Sequence, residues 1–330
     1  MKLEWSLALK NRSLLTLDDL SDSEMLEIVK LAMDLKSRRD SGVRGDLLER
    51  RQIALIFEKS STRTRCAAAC AVREEGGNAE YLTRNDIHLG GKESAADTAR
   101  VLGRMFDGIL FRGFSQHTVE TLAAYAGVPV WNGLTDVAHP TQILADLMTV
   151  KQVFGAFKGL KLAYVGDGRN NVATSLMMGC AKAGVDFVNC TPPELAPDAT
   201  LTASATAVAA TNGSTVSVVS DPKAGVKGAN IIYTDVWVSM GEENEKSKRL
   251  SLLQPYQVNS ELVAATGVPQ DEFIFLHCLP AFHNHDTDIT RLCGALEVTD
   301  EVFEAPYSKV FDEAENRMHT IKALFVSALA

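Results

Sequence analysis

The chain of 330 residues lacks any apolar run approaching the roughly 18 residues that a membrane-spanning helix requires. It also lacks a block of lysines and arginines, and its formal net charge is −9. Nucleic acid and anionic membrane surfaces are therefore excluded as main partners, although a local basic pocket could still take a small anion. Paired cysteine spacing is missing: Cys66, Cys70, Cys180, Cys190, Cys278 and Cys293 are scattered. They read as reduced thiols of a cytoplasmic protein, with no metal site expected. The first residues, Met1–Ser6, show no basic-then-apolar leader pattern. A complete Gly-x-Gly-x-x-Gly turn is absent too. Val165-Gly166-Asp167-Gly168-Arg169-Asn170-Asn171 begins like one, but Asn171 stands where the third glycine belongs. That weakens a dinucleotide reading, and Asn170 and Asn171 suit a polar, amino-acid-like ligand instead.

What is present is an alternation of short β-rich runs with helical ones. After a helix near Ser21–Ser37, strands are expected near Gln52–Phe57, Ala79–Leu82, Ile109–Phe111 and Val128–Trp131. Helices are expected over Arg63–Glu75, Ser94–Phe106, Val119–Ala126 and Pro140–Phe154. The second half repeats the theme. Its strands fall near Lys161–Val165, Asp186–Cys190, Val216–Val219, Ile231–Asp235 and Phe273–His277, and its helices near Asn171–Ala183 and Leu201–Ala210. The pattern predicts an α/β fold of two similar-sized domains, each a parallel sheet flanked by helices. The expected boundaries are 1–150, 151–312 and a C-terminal helix, 313–330, which could pack back on either domain. Glu242–Arg249, charged and led by Gly241, reads as a mobile surface loop.

Ligands of open parallel sheets bind at the carboxyl ends of strands, and polar clusters fall there repeatedly. Ser60-Ser61-Thr62-Arg63-Thr64-Arg65 follows the first strand and opens a helix. Free backbone N–H groups, hydroxyls and guanidiniums in one helical turn form an anion trap, although ordinary capping by Ser or Thr also fits. Phe111-Arg112-Gly113 ends another strand, where the arginine either faces a ligand or sits in a surface turn. In His139-Pro140-Thr141-Gln142, Pro140 suits the first helical position, which aims His139 and Gln142 at whatever the helix start faces. Asp235, at a strand end, is placed to hold an ammonium group. His277-Cys278-Leu279-Pro280 ends the last strand, and the irregular spacing of His277, Cys278, His283 and His285 does not match a closed zinc site. Glu315-Asn316-Arg317 opens the last helix.

Taken together and in this order, these clusters closely resemble ornithine carbamoyltransferases. The matching pieces are Ser61–Arg65, Phe111–Gly113, His139–Gln142, Asp167–Asn171, Asp235–Gly241, His277–Pro280 and Glu315–His319, and they cover almost the whole chain. The resemblance implies a carbamoyl-phosphate domain, an ornithine domain and a last helix crossing back. It also implies a homotrimer, or a multiple of trimers, with sites at subunit boundaries and closure of the two halves around the substrates. The implied reaction converts carbamoyl phosphate and L-ornithine to L-citrulline and phosphate without a cofactor, in arginine metabolism. Biosynthesis is the expected role, although no residue fixes the direction.

By the same resemblance, Ser61, Thr62, Arg63 and Thr64 hold the phosphate. Arg112, His139, Gln142, Arg317 and the Cys278-Leu279 backbone hold the carbamoyl end. Asn171, Asp235, Ser239 and Met240 hold ornithine's α-groups, with Cys278 beside the attacking amine. The expected catalytic set is Arg112, His139, Asp235 and Cys278. One region departs from the family, which carries Gln-Ile-Gly-His-Lys-Glu-Ser where this chain has His88-Leu89-Gly90-Gly91-Lys92-Glu93-Ser94. His88 thus replaces a glutamine that the family supplies to the phosphate of a neighbouring subunit. Alternative readings are transfer to putrescine or acetylornithine, a non-catalytic paralogue, and a nucleotide-dependent oxidoreductase resting on Gly166-Asp167-Gly168 alone.

Overall fold

The computed structural model describes residues 9–238, 246–291 and 294–330. Two compact units emerge: 1–148 with 315–330, and 149–314.

The first unit opens with helix α1 (Asp22–Asp40), started by a reciprocal cap between Ser21 and Glu24. Strand β1 (Gln52–Phe57) is buried from Ile53 onward, and β3 (Gly108–Arg112) is buried throughout. Unbroken apolar runs of this kind mark strands covered on both faces. With β2 (Asn78–Thr83) and β4 (Val130–Leu134) they form a parallel sheet in the order β2-β1-β3-β4. Helices α2 (Thr62–Glu74), α3 (Ala95–Leu102) and α4 (Gln116–Ala126) connect the strands. Strand β4 starts two residues later than its sequence suggests, because Pro129 has no N–H to give to a ladder. Its outer edge is partly covered by Leu14, whose carbonyl accepts from the Asn132 N–H at 2.8 Å. Helix α3 stops at Leu102 rather than Phe106. A Cβ at Gly103 would lie 1.7 Å from the Ala126 carbonyl oxygen, so only glycine permits the ends of α3 and α4 to approach so closely.

The chain enters the second unit within α5 (Pro140–Phe154). There β5 (Lys161–Val165), β6 (Asp186–Cys190), β7 (Val216–Val219), β8 (Ile231–Thr234) and β9 (Ile274–His277) form a parallel sheet in the order β7-β6-β5-β8-β9. Helices α6 (Asn171–Ala183) and α7 (Ala199–Thr211) match expectation within two residues. Four short helices were not legible: α8 (Pro222–Val226), α9 (Lys246–Leu253), α10 (Ser260–Ala264) and α11 (Asp300–Phe303). Helix α9 corrects the expectation of a mobile loop for 246–249; the rest of that expectation, 242–245, lies outside the described residues. The Arg249 side chain of α9 is only 2% exposed, because an ion pair and a backbone carbonyl take it inward. The last helix, α12 (Val310–Leu329), begins in the second unit and ends in the first. In the first unit its Phe325 ring meets Trp131 of β4 at 4.6 Å, a contact worth about 1 kcal/mol beyond burial.

Candidate active site

Both sheets change winding direction once, and each change leaves a crevice at the strand ends: between β1 and β3 in the first unit, and between β5 and β8 in the second. The chemistry-bearing residues collect at these two points.

In the first unit, Ser61 caps α2 by accepting the Thr64 N–H at 3.2 Å, which leaves earlier N–H groups of that turn facing outward. The buried Thr64 hydroxyl is the hub. It accepts from Arg112 Nη1 at 3.3 Å, Arg317 Nη2 at 3.0 Å and Ser61 Oγ at 3.3 Å. Arg112 leaves the end of β3, while Arg317 arrives from α12. Arg317 Nη1 also donates to Gln142 Oε1, and Gln142 Nε2 donates to Asp146 Oδ1 at 2.8 Å. Asp146 therefore fixes which end of the Gln142 amide faces the arginine, a role its sequence position one turn further along α5 did not announce.

His139 is buried just before α5. Burial, followed by the positive charge of Arg317, Arg112 and Arg63, pushes its titration well below the ordinary imidazole value. It is neutral at physiological pH, with Nδ1 3.5 Å from the Thr141 hydroxyl. Ser61 and Arg63, in the same turn as Thr64, are half-buried, and Thr62 is exposed. Arg65 turns away and stacks over Tyr81 at 3.7 Å.

His88 and Lys92 are exposed and are not part of this hub. The His88 carbonyl accepts from the N–H groups of Gly91 and Glu93, closing a turn. A Cβ at Gly91 would meet only that carbonyl, at 3.6 Å, so the backbone does not demand glycine there.

In the second unit, Asp235 follows β8. Its Oδ1 accepts from the Val236 N–H at 2.8 Å and from Cys278 Sγ at 3.1 Å, and its Oδ2 accepts from Asn170 Nδ2 at 3.0 Å. Asn170 also caps α6 through the Val172 N–H at 2.7 Å. Asn170 thus touches Asp235, and Asn171 is the first residue of α6. Ser239 and Met240, expected beside them, lie outside the described residues.

Buried carboxylates hold the segment after β9. Glu313 accepts from the His277 N–H at 3.0 Å and from the Tyr233 hydroxyl at 3.1 Å. Glu297 Oε1 lies 3.3 Å from His277 Nε2 and accepts the Phe282 N–H at 2.6 Å. His277 Nδ1 accepts the Leu279 N–H at 2.9 Å, so the neutral ring carries its proton on Nε2 and gives it to Glu297. That bond helps hold Leu279 at φ 58°, a left-handed conformation that disfavours leucine. Neither glutamate was a sequence candidate. Glu313 stands four residues before Arg317 in a run that otherwise reads as a solvated helix face.

Asp235, His277 and Cys278 could each offer one atom to a metal within 4.8 Å of the others. Both His277 nitrogens are already engaged, however, and the Cys278 thiol is turned to Asp235. His283 lies elsewhere, stacked on Phe303 and hydrogen-bonded to Asp300.

The two crevices differ in their charged groups. Arginines crowd His139 in the first. In the second, burial and then Asp235, Asp167 and Cys278 push the Tyr164 hydroxyl well above its ordinary value. No described helix is long and apolar enough to cross a membrane.

Comparison with known proteins agrees with these motifs. Residues 12–152 match the model of the aspartate/ornithine carbamoyltransferase carbamoyl-P binding domain, and residues 158–328 match that of its Asp/Orn binding domain. The catabolic ornithine carbamoyltransferase of Bacillus licheniformis is 55% identical over 97% of each chain. The ornithine carbamoyltransferase of Pediococcus pentosaceus is 53% identical over 98% of this chain and 99% of its own. Among solved structures, ornithine carbamoyltransferase from Pyrococcus furiosus superposes with a TM-score of 0.90 at 43% identity, covering 97% of each chain. Resemblance over this length, with the arginine and aspartate crevices in place, establishes that the chain belongs to the ornithine carbamoyltransferase family.

Proposed function

We propose that this protein transfers the carbamoyl group of carbamoyl phosphate to the side-chain amine of L-ornithine, giving L-citrulline and phosphate. The observation that carries the proposal is the convergence of the Arg112 and Arg317 guanidiniums on the Thr64 hydroxyl, at the winding switch of the first sheet. Concentrated buried cation with hydroxyl donors suits a phosphorylated, carbonyl-bearing anion.

In this reading Ser61, Thr62, Arg63 and Thr64 hold the phosphoryl oxygens, and Arg63 balances the charge of the leaving phosphate. Arg112, His139 and Thr64 face the carbamoyl oxygen, with Gln142, Arg317 and the Cys278-Leu279 backbone completing its pocket. Attack by the amine turns that oxygen into an oxyanion, and a placed donor is worth about 3 kcal/mol there. His139 can donate through its one ring N–H, and burial and the nearby arginines make it a poor acceptor for the amine's proton. Asn171, Asp235, Ser239 and Met240 hold the α-amino and α-carboxylate groups, and Cys278 orients the attacking end. The ornithine ammonium must shed its proton first, and the positive crevice that surrounds carbamoyl phosphate disfavours a further cation. No covalent enzyme intermediate is required, since holding both substrates in line supplies much of the rate.

The assembly is a homotrimer or a multiple of trimers, located in the cytoplasm, with the exposed His88 reaching a neighbouring subunit's phosphate. The relatives at 51–55% identity include four named catabolic. The expectation of arginine biosynthesis accordingly gains no support from them, and use in arginine breakdown is the reading they favour.

The test is a steady-state assay of citrulline and phosphate with carbamoyl phosphate and varied ornithine, run beside putrescine and acetylornithine. Equal release of citrulline and phosphate, with ornithine strongly preferred, is the expected result. Phosphate release no faster than spontaneous decay, or equal use of putrescine, would overturn it.

A further inference from the structure

Arg249 was hidden in a charged run, yet its side chain is buried in the second unit. Its Nη2 pairs with Asp167 Oδ2, and its Nε donates to the Trp237 carbonyl at 2.8 Å. Asp167 belongs to the loop that follows β5, and Trp237 to the segment that follows β8. These two strands flank the winding switch. One planar guanidinium therefore bridges the two loops that carry Asn170 and Asp235. The same loops meet a second time through the Asn170–Asp235 hydrogen bond. Asp167 in turn organises its own loop, with Oδ1 accepting the Arg169 N–H at 2.9 Å and its carbonyl accepting the Asn170 N–H at 3.1 Å. The chain from Arg249 to Asn170 is thus continuous: guanidinium, carboxylate, turn, cap.

We infer that Arg249 is a positioning residue for the amino-acid substrate. It fixes the spacing of the β5 and β8 loops, so that the turn carrying Asn170 and Asn171 and the Asp235 carboxylate stand at the separation that ornithine's α-groups need. The inference rests on the ornithine reading above and adds to it a residue remote from the substrate. Charge alone does not serve the role. The bond to the Trp237 carbonyl and the pair with Asp167 diverge from one rigid fork, which a lysine cannot reproduce.

Because both loops belong to the amino-acid half, the consequence is selective. In Arg249→Gln the KM for ornithine should rise about tenfold or more while the KM for carbamoyl phosphate stays within about twofold, the signature of lost binding geometry. Arg249→Lys should lie between Arg249→Gln and the wild type. L-Norvaline, which keeps ornithine's α-groups and three-carbon chain but lacks the terminal amine, provides a reaction-free readout. Its inhibition constant should rise by a similar factor. A merely structural role would lower the melting temperature and the active fraction, hence kcat, and leave both KM values and the norvaline constant unmoved.

Should Arg249→Gln fail to fold, Asp167→Asn removes the same bridge from its other end and should give the same selective rise. Unchanged ornithine KM and norvaline constant in folded Arg249→Gln, or in Asp167→Asn, overturn the inference. A wild-type protein that forms no citrulline sinks the functional reading instead, so the two failures are distinct.

Discussion

Acidification should destabilise the first unit through His319, and the size of the effect follows from its surroundings. The imidazole sits on α12 with no exposed side-chain surface, and its Nε2 lies 3.5 Å from Glu315 Oε1. Among the described residues its Nδ1 has no hydrogen-bond partner. The neighbouring lysines are committed elsewhere: Lys36 to Glu315 at 3.1 Å, and Lys322 to Glu74 at 2.6 Å with Glu75 3.5 Å away. Burial is the main reason that the His319 pKa falls from 6.5 to about 4, with Lys36 and Lys322 adding to the fall and Glu315 opposing it.

A folded-state value below the unfolded one means that the unfolded chain binds the proton more readily. The stability that depends on neutral His319 is therefore complete above about pH 6.5 and is lost as the pH falls toward 4. Linkage between these two values gives a loss of about 2 kcal/mol by pH 5, relative to pH 8. The carboxylates of the cluster act in a different window. Burial raises Glu74 and Glu315, but Lys322 and Arg39 on one and Lys36 on the other more than offset it, and both fall below 4.5. Their contribution is lost only in more acid solution. Urea unfolding of wild type and His319→Gln at pH 8, 6 and 5 separates the groups, because all other titrations cancel in the difference. Wild type should lose about 2 kcal/mol more than the variant between pH 8 and 5. Parallel pH profiles for the two proteins would refute the assignment.

Two further outcomes follow from the geometry. Gly103→Ala places a Cβ 1.7 Å from the Ala126 carbonyl oxygen and 2.7 Å from its carbon, so backbone must move. The cost should be about 3 kcal/mol, read as a fall of about 10 °C in Tm, whereas Gly91→Ala should change Tm by less than about 2 °C. Arg317→Gln removes the guanidinium shared by Thr64 and Gln142. On the proposed reaction, kcat should drop by about 100-fold or more, with the ornithine KM near its wild-type value. A kcat within tenfold of wild type would remove Arg317 from the carbamoyl pocket.

The strand–helix order was legible because buried parallel strands such as Ile53–Phe57 and Ile231–Thr234 are unbroken apolar runs, and because Ser61 and Asn170 are ordinary helix caps. The arginine hub was legible only in part. Arg112 and the Ser61–Thr64 turn lie at strand ends, where geometry directs attention, but Arg317 lies 253 residues from Thr64 and reads locally as solvated helix. Arg249 was misread for a related reason. A charged run looks exposed until its partner is known, and Asp167 is 82 residues away. Glu297 and Glu313 escaped notice because each accepts a backbone N–H, which leaves no trace in residue identity, and a bond from a side chain distant in sequence. Local pattern reports capping and periodicity, whereas buried charge is paired by tertiary contacts that local pattern does not contain.

The Asp235 carboxylate shows how such pairing narrows what a site can do. An ionised carboxylate offers about four acceptor positions. The Val236 N–H and the Cys278 thiol share Oδ1, and Asn170 takes one position on Oδ2. Among the described residues these bonds leave about one position, on Oδ2. In the proposed reaction that vacancy accepts one N–H of the α-ammonium group, and the α-carbon then stands at a fixed distance from the thiol. Ornithine's three-carbon side chain extends from that point, so the reach of its terminal amine is set by Asp235, Asn170 and Cys278 acting as one hydrogen-bonded unit. A diamine such as putrescine lacks the α-ammonium and α-carboxylate pair that this unit and its neighbours would anchor. It would therefore bind without a register, with no gain from orientation. Discrimination on this account comes from where the first amine is pinned, rather than from any group that inspects the second.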